Sequence, residues 1–508
     1  MALIAPRRAA ELHAMPGVNL HIGDGEYPAI AKYAEMINDL DIKLYRTGLP
    51  PGTIRSIEYI YANTGALAII LTSPHEVGAR PADIVATIKR IGKEKIAFIE
   101  LYNEPDGFGK PSYNGVSYPG SVRVFAQDLY NRMKDDTYTA DIKIIGTSPA
   151  YYNSNTTPSM NVADLVDYGN SHPYPADQLP DETTQFGCWF QAYHDGCKRL
   201  HGTKPVIITE DGYYKSVATT ATDNGNKYPI SERAFAKYIN RRALYLFENS
   251  VADVYRWILY ELRDGSTSRT NNKESQFGIC NGDGARKPAF MALKSLLAAC
   301  KDGATDQFTF TPTALDITFS GDISNLQTRL MQKANGNYIL AIWRKLRSYQ
   351  HGTLATRKDL DYSPTNLTIT LPSVPSNIAV VDTLTTVKSA VNPAQTFNVA
   401  VADSVVLVEL SLTATPVVTP PPTTTPIVTL YADPNYLGTK AEFTAVGFYN
   451  LSGNLAYMDN ITSSIKVTTG YQLHQYSTPQ YQKLLRLWGV NTKEYSQLKT
   501  AAIKLFQS

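Results

Sequence analysis

Two short stretches of this chain end an apolar run on a carboxylate. One reads Phe98-Ile-Glu-Leu-Tyr-Asn103-Glu104-Pro105-Asp106 and the other Val206-Ile-Ile-Thr-Glu210-Asp211-Gly212. Cleavage of a glycosidic bond needs two carboxyl groups flanking it, one protonated to assist the leaving oxygen and one ionised to stabilise or attack the anomeric carbon. Strand ends hold such a separation rigidly, which makes Glu104 and Glu210 the candidate pair. Each is a weak signal alone, since Asn-Glu-Pro turns are common and a Glu after a strand is more often solvated or salt-bridged than catalytic.

The elements that would position them are legible in the first three hundred residues. Short runs rich in Ile, Val and Leu, as parallel strands buried on both faces require, alternate with helical periodicity. The predicted strands are Gly17 to Gly23, Ile42 to Arg46, Ala66 to Thr72, Ile96 to Asn103, Ile142 to Gly146, Leu165 to His172, Pro205 to Glu210 and Val254 to Leu259. Helical stretches include Ala29 to Leu40, Pro81 to Ile91, Ser121 to Lys134, Ser231 to Phe247 and Pro288 to Ala299. Eight such units give a (β/α)8 TIM barrel over residues 1–302, with Glu104 ending the fourth strand and Glu210 the seventh. A doubly wound sheet is the competitor, but no GxGxxG turn follows the first strand.

From about Gly303 the pattern changes to period-two alternation, as in Phe308-Thr-Phe, Tyr338 to Trp343, Leu367 to Leu371 and Val405 to Leu410. This predicts an antiparallel β-sandwich over residues 303–412. Thr413 to Pro426 (TATPVVTPPPTTTP) cannot build a core and reads as a semi-rigid spacer before a separate domain, residues 427–508. A chain of 508 residues is expected to hold roughly three to four domains at about 150 residues each.

The formal net charge of +2 and a charged fraction of 19% leave no broad footprint for nucleic acid or an anionic membrane. No apolar stretch reaches the roughly 18 residues of a membrane span. The expected partner is a polysaccharide or oligosaccharide, and the expected state a monomer. Abundant tyrosine, sparse lysine and the Pro/Thr tract suit a secreted chain whose signal has been removed. The cysteines, Cys188, Cys197, Cys280 and Cys300, have no CxxC spacing. Disulfides Cys188–Cys197 and Cys280–Cys300, or buried free thiols, are equally open.

On these residues, the stretch from about 17 to 300 resembles clan A of the retaining glycoside hydrolases, whose pattern places Asn-Glu after the fourth strand and a nucleophilic Glu after the seventh. The resemblance implies Glu104 as acid/base, Glu210 as nucleophile and Asn103 on the 2-hydroxyl of the reacting sugar. Arg46 matches the arginine that supports the nucleophile. His172-Pro-Tyr174 matches the clan's His-x-Tyr, the Tyr hydroxyl donating to the nucleophile. Among aromatic residues, Trp257 or Tyr260 on the eighth strand, Tyr213 and Tyr214, and Tyr151 and Tyr152 are candidates for lining subsites, with core packing the alternative for half of them. The implied reaction is double displacement on a β-linked hexose or pentose, with no cofactor for catalysis. It requires Glu104 to be protonated in the free enzyme and Glu210 to stay ionised beside Arg46 and Tyr174. A carboxyl separation near roughly 5 Å goes with retention and about 6.5 Å or more with inversion.

In the last segment, Tyr431-Ala-Asp-Pro-Asn-Tyr436-Leu-Gly438 and Asp459-Asn460-Ile-Thr-Ser463-Ser464 resemble the βγ-crystallin Greek-key hairpin and its calcium signature. The resemblance implies at most one Ca²⁺ site, with Asp459, Asn460 and Ser463 contributing; Ala501 and Ala502 spoil the second repeat. An Asx turn without metal is the alternative. Two other functions compete with hydrolysis of glycosides. One is a non-catalytic carbohydrate-binding protein on the same barrel, and the other a carbohydrate esterase using Ser148, whose following Pro149 removes an oxyanion-hole N–H.

Overall fold

The computed structural model describes residues 2–22, 30–49, 52–73, 80–107, 110–150, 157–176, 178–181, 189–215, 229–248, 253–265, 275–350 and 356–412, and after these the strands of a C-terminal unit. The chain forms two compact units, Met1–Thr413 and Ala414–Ser508.

Eight parallel strands build the core of the first unit. In chain order they are Pro16–Asn19, Leu44–Thr47, Leu67–Leu71, Ile96–Glu100, Lys143–Ile145, Gly169–Ser171, Val206–Asp211 and Val254–Leu259. Neighbours in sequence are neighbours in the sheet, and the eighth strand pairs with the first. The ring closes between the fifth and sixth strands, where Tyr168 donates to the Ile144 carbonyl at 3.1 Å and Gly146 donates to that of Tyr168 at 2.9 Å. The strands read as nearly unbroken apolar runs because both faces are covered. Leu44, Ile69, Phe98, Ile145, Ile207 and Ile258 fill the barrel interior. Residues pointing the other way meet the helices.

Those helices bury one stripe each. Ile30–Leu40 presents Tyr33, Met36, Ile37 and Leu40 inward at helical spacing. Pro81–Ile91 opens on a proline, carries Asp83 in its first turn and Lys89 and Arg90 in its last, and stops at Gly92. Gly120–Asp135, Glu232–Glu248 and Pro288–Cys300 follow the predicted stretches. Thr53–Thr64 and Trp189–His201 complete the outer layer without having been foreseen. In Thr53–Thr64 the buried stripe is Thr53, Ile57, Ile60 and Thr64, so threonine at both ends hides the apolar period. No helix of the described residues is long and apolar enough to cross a membrane.

The antiparallel part is built on two large sheets, beside a two-stranded one of Tyr349–Gln350 and Lys358–Asp359. One contains Ala2–Ile4, Leu315–Gly321, Thr365–Thr370 and Thr396–Val401; the other contains Val387–Val391, Asn377–Asp382, Val406–Ser411, Tyr338–Arg344, Leu326–Gln332 and Arg7–Arg8. Tyr338–Arg344 is buried along its whole length. Its alternation explains why: Tyr338, Leu340 and Ile342 enter the sandwich core, and Ile339, Ala341 and Trp343 join the core shared with the barrel helices. Two features differ from the sequence reading. Residues 2–8 pair into the sandwich sheets, because strands of three and two residues are too short to register as a pattern. Phe308 to Phe310 is a turn, with Thr309 and Phe310 both donating to the Asp306 carbonyl.

Cys197, Cys280 and Cys300 are buried free thiols, so the Cys280–Cys300 bridge is not formed; Cys188 lies outside the described residues. The second unit holds two four-stranded antiparallel sheets. The first is ordered Leu437–Phe443, Val428–Asp433, Ser464–Val467, Lys493–Glu494, and the second Gly447–Asn450, Ala502–Gln507, Tyr471–Tyr476, Leu484–Trp488. Taken as two successive four-strand repeats, each gives its third strand to the sheet of the other. Asp459, Asn460 and Ser463 lie outside the described residues.

Candidate active site

Polar side chains collect where the barrel strands end. Asn19 ends the first, Arg46 lies next to the end of the second, Glu100 ends the fourth, and Asn170 and Thr209 lie near the ends of the sixth and seventh; all are buried. Arg46 is the hub. Its Nη1 donates to Glu210 Oε1 at 2.7 Å and to Asn19 Oδ1 at 3.0 Å, and its Nη2 to Asn103 Oδ1 and Glu100 Oε1, both at 2.9 Å. Its Nε reaches Glu100 Oε2 at 2.5 Å, completing a fork on that carboxylate. One guanidinium therefore ties the second, fourth and seventh strands together.

Glu104 and Glu210 face each other at this mouth. One carboxylate oxygen of each and a ring nitrogen of His172 lie within 4.8 Å of one another. Their side chains keep 19% and 11% of their surface exposed, enough to meet a ligand. Glu104 stands just past the fourth strand in a left-handed conformation, φ +36°, and its N–H is fixed to the Ser148 carbonyl at 2.9 Å. Positive φ is uncommon for a side-chain-bearing residue, and Pro105 restricts its neighbour further, so the surrounding contacts must hold it there. His172 bridges the two acids. Its Nδ1 lies 2.9 Å from Glu104 Oε1 and 3.7 Å from Glu210 Oε2, while Nε2 meets Thr209 Oγ1 at 2.9 Å. Tyr174 donates its hydroxyl to Glu210 Oε2 at 2.7 Å.

These contacts set the charges. Burial pushes the Glu210 carboxyl up, but the His172 and Arg46 charges and the Tyr174 hydroxyl outweigh it and hold the group below its ordinary value. Burial pushes the His172 imidazole down, and the charges of Glu210 and Glu104 more than reverse it, favouring imidazolium. In that form Nδ1–H donates to Glu104 and Nε2–H to Thr209. Burial and the Glu210 charge hold the Tyr174 phenol protonated. Glu104, His172 and Glu210 offer three metal-ligating atoms, yet Arg46 and a positively charged imidazole on the same carboxylates oppose a cation there. The arrangement suits acid–base and nucleophilic chemistry.

A wall of aromatic rings flanks Tyr174. Tyr260 and Phe277 pack edge-on against it at 6.2 and 5.7 Å and against each other at 5.2 Å, and His21 meets Tyr260 at 5.5 Å. Tyr260 therefore belongs to the site. Trp257 does not: it lies in the layer between sheet and helices, its Nε1 donating to Asp211 Oδ2 at 2.9 Å. Strand alternation separates the two residues, since positions three apart face opposite sides. Tyr213 packs on Phe235 and Tyr238 of the helix layer, and Tyr214 is buried behind Phe277. Tyr151 and Tyr152 lie outside the described residues. The Ser148 hydroxyl is fully buried and, among the described residues, has no hydrogen-bonding partner such as a base, which counts against it as an esterase nucleophile.

The sequence reading missed Glu100, Asn19, Asn170, Thr209 and Phe277. The first four carried a usable signal, a polar residue closing or interrupting an apolar strand; Phe277 carried none. It also missed the support of the loop bearing Tyr174. Arg242 donates to the Pro173 carbonyl at 2.9 Å and to Asp211 at 2.7 Å, Arg241 and Trp343 both bond Asp181 at 2.7 Å, and Arg347 bonds Gln178 at 2.9 Å. Trp343 and Arg347 come from the sandwich portion, so that portion steadies the barrel mouth.

No protein-family model matches the chain, and no curated protein sequence matches it. Among solved structures it is similar to a family 39 glycoside hydrolase from the gut symbiont Bacteroides cellulosilyticus, at 15% identity over 80% of this chain and 83% of that one, with a TM-score of 0.51. The two share a fold, a TIM barrel with an antiparallel β portion. More distant likenesses include a β-glucuronidase from an uncultured Clostridium (13% identity, 56% of this chain and 50% of that one, TM-score 0.39) and a β-galacturonidase from Eisenbergiella tayi (14%, 56% and 51%, 0.37).

Proposed function

We propose that the chain is a retaining glycoside hydrolase that cleaves β-glycosidic bonds of a polysaccharide or oligosaccharide. The observation that carries this reading is the facing pair Glu104 and Glu210, with oxygens within 4.8 Å at the strand ends of one barrel. That spacing falls on the side of double displacement, in which the carboxyls are about 5–5.5 Å apart, rather than the ~6.5–9.5 Å that leaves room for a water. Glu210, kept ionised by Arg46 and Tyr174, attacks the anomeric carbon while Glu104 protonates the departing oxygen. Glu104 then takes a proton from the water that releases the sugar. Asn103, whose oxygen accepts from Arg46 beside Glu104, is placed to donate its amide to the sugar 2-hydroxyl. Before the first step His172 passes its Nδ1 proton to Glu104, 2.9 Å away, so that Glu104 enters as the acid; the proton Glu104 later takes from water returns to His172, and Tyr260 supplies a ring edge to the subsite.

A covalent probe tests this. An activated 2-deoxy-2-fluoro-β-glycoside should leave its glycosyl group on Glu210, read by mass spectrometry of peptides, and proton NMR of the first product should show the β-anomer. An α-anomer, or labelling elsewhere, overturns the assignment.

For residues 427–508 we propose a βγ-crystallin-like module, supported by the exchange of third strands between two four-strand repeats. Asp459, Asn460 and Ser463 offer only oxygen donors, the preference of Ca²⁺, which would have a structural role there. A rise in melting temperature with calcium chloride that Asp459→Ala abolishes is the expected result. The location we propose is extracellular and the state monomeric, on the composition and the Pro/Thr spacer.

A further inference from the structure

At the end of the barrel opposite Glu104 and Glu210, where the seventh and eighth strands begin, the surface opens into a cleft of about 560 Å³. That volume lies within the roughly 300–1,000 Å³ of small-molecule sites. Four charged residues line it: Arg7, Glu11, Asp253 and Arg256. Glu11 is already matched, accepting from Arg7 at 3.2 Å and from Arg8 at 2.7 Å. Arg256 is different. Among the described residues no carboxylate lies within ion-pairing distance of its guanidinium, whose two hydrogen bonds are both to Tyr255. Nη1 donates to the Tyr255 carbonyl at 2.8 Å and Nη2 to its hydroxyl at 3.2 Å, with the guanidinium 3.9 Å above its ring. Tyr255 in turn stacks on Tyr168 with centroids 5.2 Å apart, which fixes the guanidinium plane.

Elsewhere in the barrel a buried guanidinium meets its carboxylate. Arg46, Arg241 and Arg242 each have one at 2.7 Å. Arg256 is partly exposed at the cleft wall, and its five N–H donors, two of them engaged by Tyr255 among the described residues, leave a fork open for a planar oxyanion. The rest of the lining limits what that anion belongs to. Glu11 and Asp253 leave the cleft close to neutral, which disfavours a multiply charged phosphate and suits a single carboxylate on a hydroxyl-rich body. Phe308, half exposed on the turn at 308–310, adds an apolar ring to the wall.

We propose that this cleft is a second saccharide site, specific for a singly charged acidic sugar whose carboxylate is forked by Arg256 and whose ring lies on Phe308. Titration calorimetry on the full chain carrying Glu210→Gln tests it, with a glucuronate oligosaccharide, a neutral gluco-oligosaccharide of equal length and sodium acetate as probes. The acidic oligosaccharide should bind at least about tenfold more tightly than either of the others. Arg256→Ala should remove that preference and Arg256→Lys keep part of it, with melting temperature confirming that each folds. If Arg256→Ala does not fold, Arg256→Gln gives the same reading. Equal binding of the acidic and neutral sugars, equal binding of acetate, or an unchanged preference in the Arg256 variants overturns the site. Since the measurement needs no turnover, its failure leaves the hydrolase reading standing, and loss of hydrolysis leaves the cleft standing.

Discussion

Glu210 and Asp211 are adjacent carboxylates on one strand, and each is bound by an arginine at 2.7 Å, yet they belong to different regions of the molecule. Glu210 points into the barrel mouth, where Arg46, Tyr174 and His172 hold it ionised and part of it stays exposed. Asp211 points into the layer between sheet and helices, locked by Arg242 and Trp257, and there burial wins and raises its pKa in spite of both partners. The strand's period of two makes this division. Residue type and an arginine partner do not make a carboxylate a reagent; the face it stands on does.

The contrast can be broken by substitution, the largest effect coming from the mouth. Glu210→Gln should lower kcat by at least about 10⁴-fold with little change in melting temperature, measured on an aryl glycoside. Glu104→Gln should cost about 10²–10⁴-fold, less on substrates with good leaving groups. Asp211→Asn acts on the other face. Leaving Arg242 buried without its charge partner should cost about 3–5 kcal/mol of stability, read by urea unfolding, with a smaller loss of kcat. An Asp211→Asn variant as stable as the parent, but inactive, would dissolve the distinction.

Smaller effects sharpen it. Tyr174→Phe removes a donor to Glu210, so the pKa of that carboxyl rises and the acid limb of the kcat/KM profile moves to higher pH, with a loss of about tenfold in kcat. The sign follows from the native shift: a carboxyl held below its ordinary value stays ionised, and its stabilisation is present, above the unfolded pKa and is lost as pH falls through the folded one. Trp257→Phe should cost about 1 kcal/mol of stability, the hydrogen bond to Asp211, and leave KM unchanged.

Much of this was readable beforehand because the barrel writes itself as repeated apolar runs. Those runs showed where strands end, and strand ends named Glu104 and Glu210; Arg46, His172 and Tyr174 followed from the resemblance to clan A. Legibility stopped where meaning depends on a neighbour distant in sequence. Glu100 looks like an interruption of a strand until Arg46, 54 residues earlier, is seen to fork it. Trp257 and Tyr260 were indistinguishable until the register of the eighth strand separated inner from outer face. The bonds from Trp343 and Arg347 to the loop after His172 join parts that periodicity treats as unrelated.

The pairing of Ala2–Ile4 with Leu315–Gly321 bears on how the polypeptide is made. At about 5–20 residues per second, a ribosome would deliver that partner strand about a quarter of a minute to a minute after the first residues. Throughout that wait the leading segment is an unpaired sheet edge, open to chaperones or to another nascent chain. Disrupting this pairing, as with Ile4→Pro, should therefore disturb assembly of the sandwich before it touches the barrel.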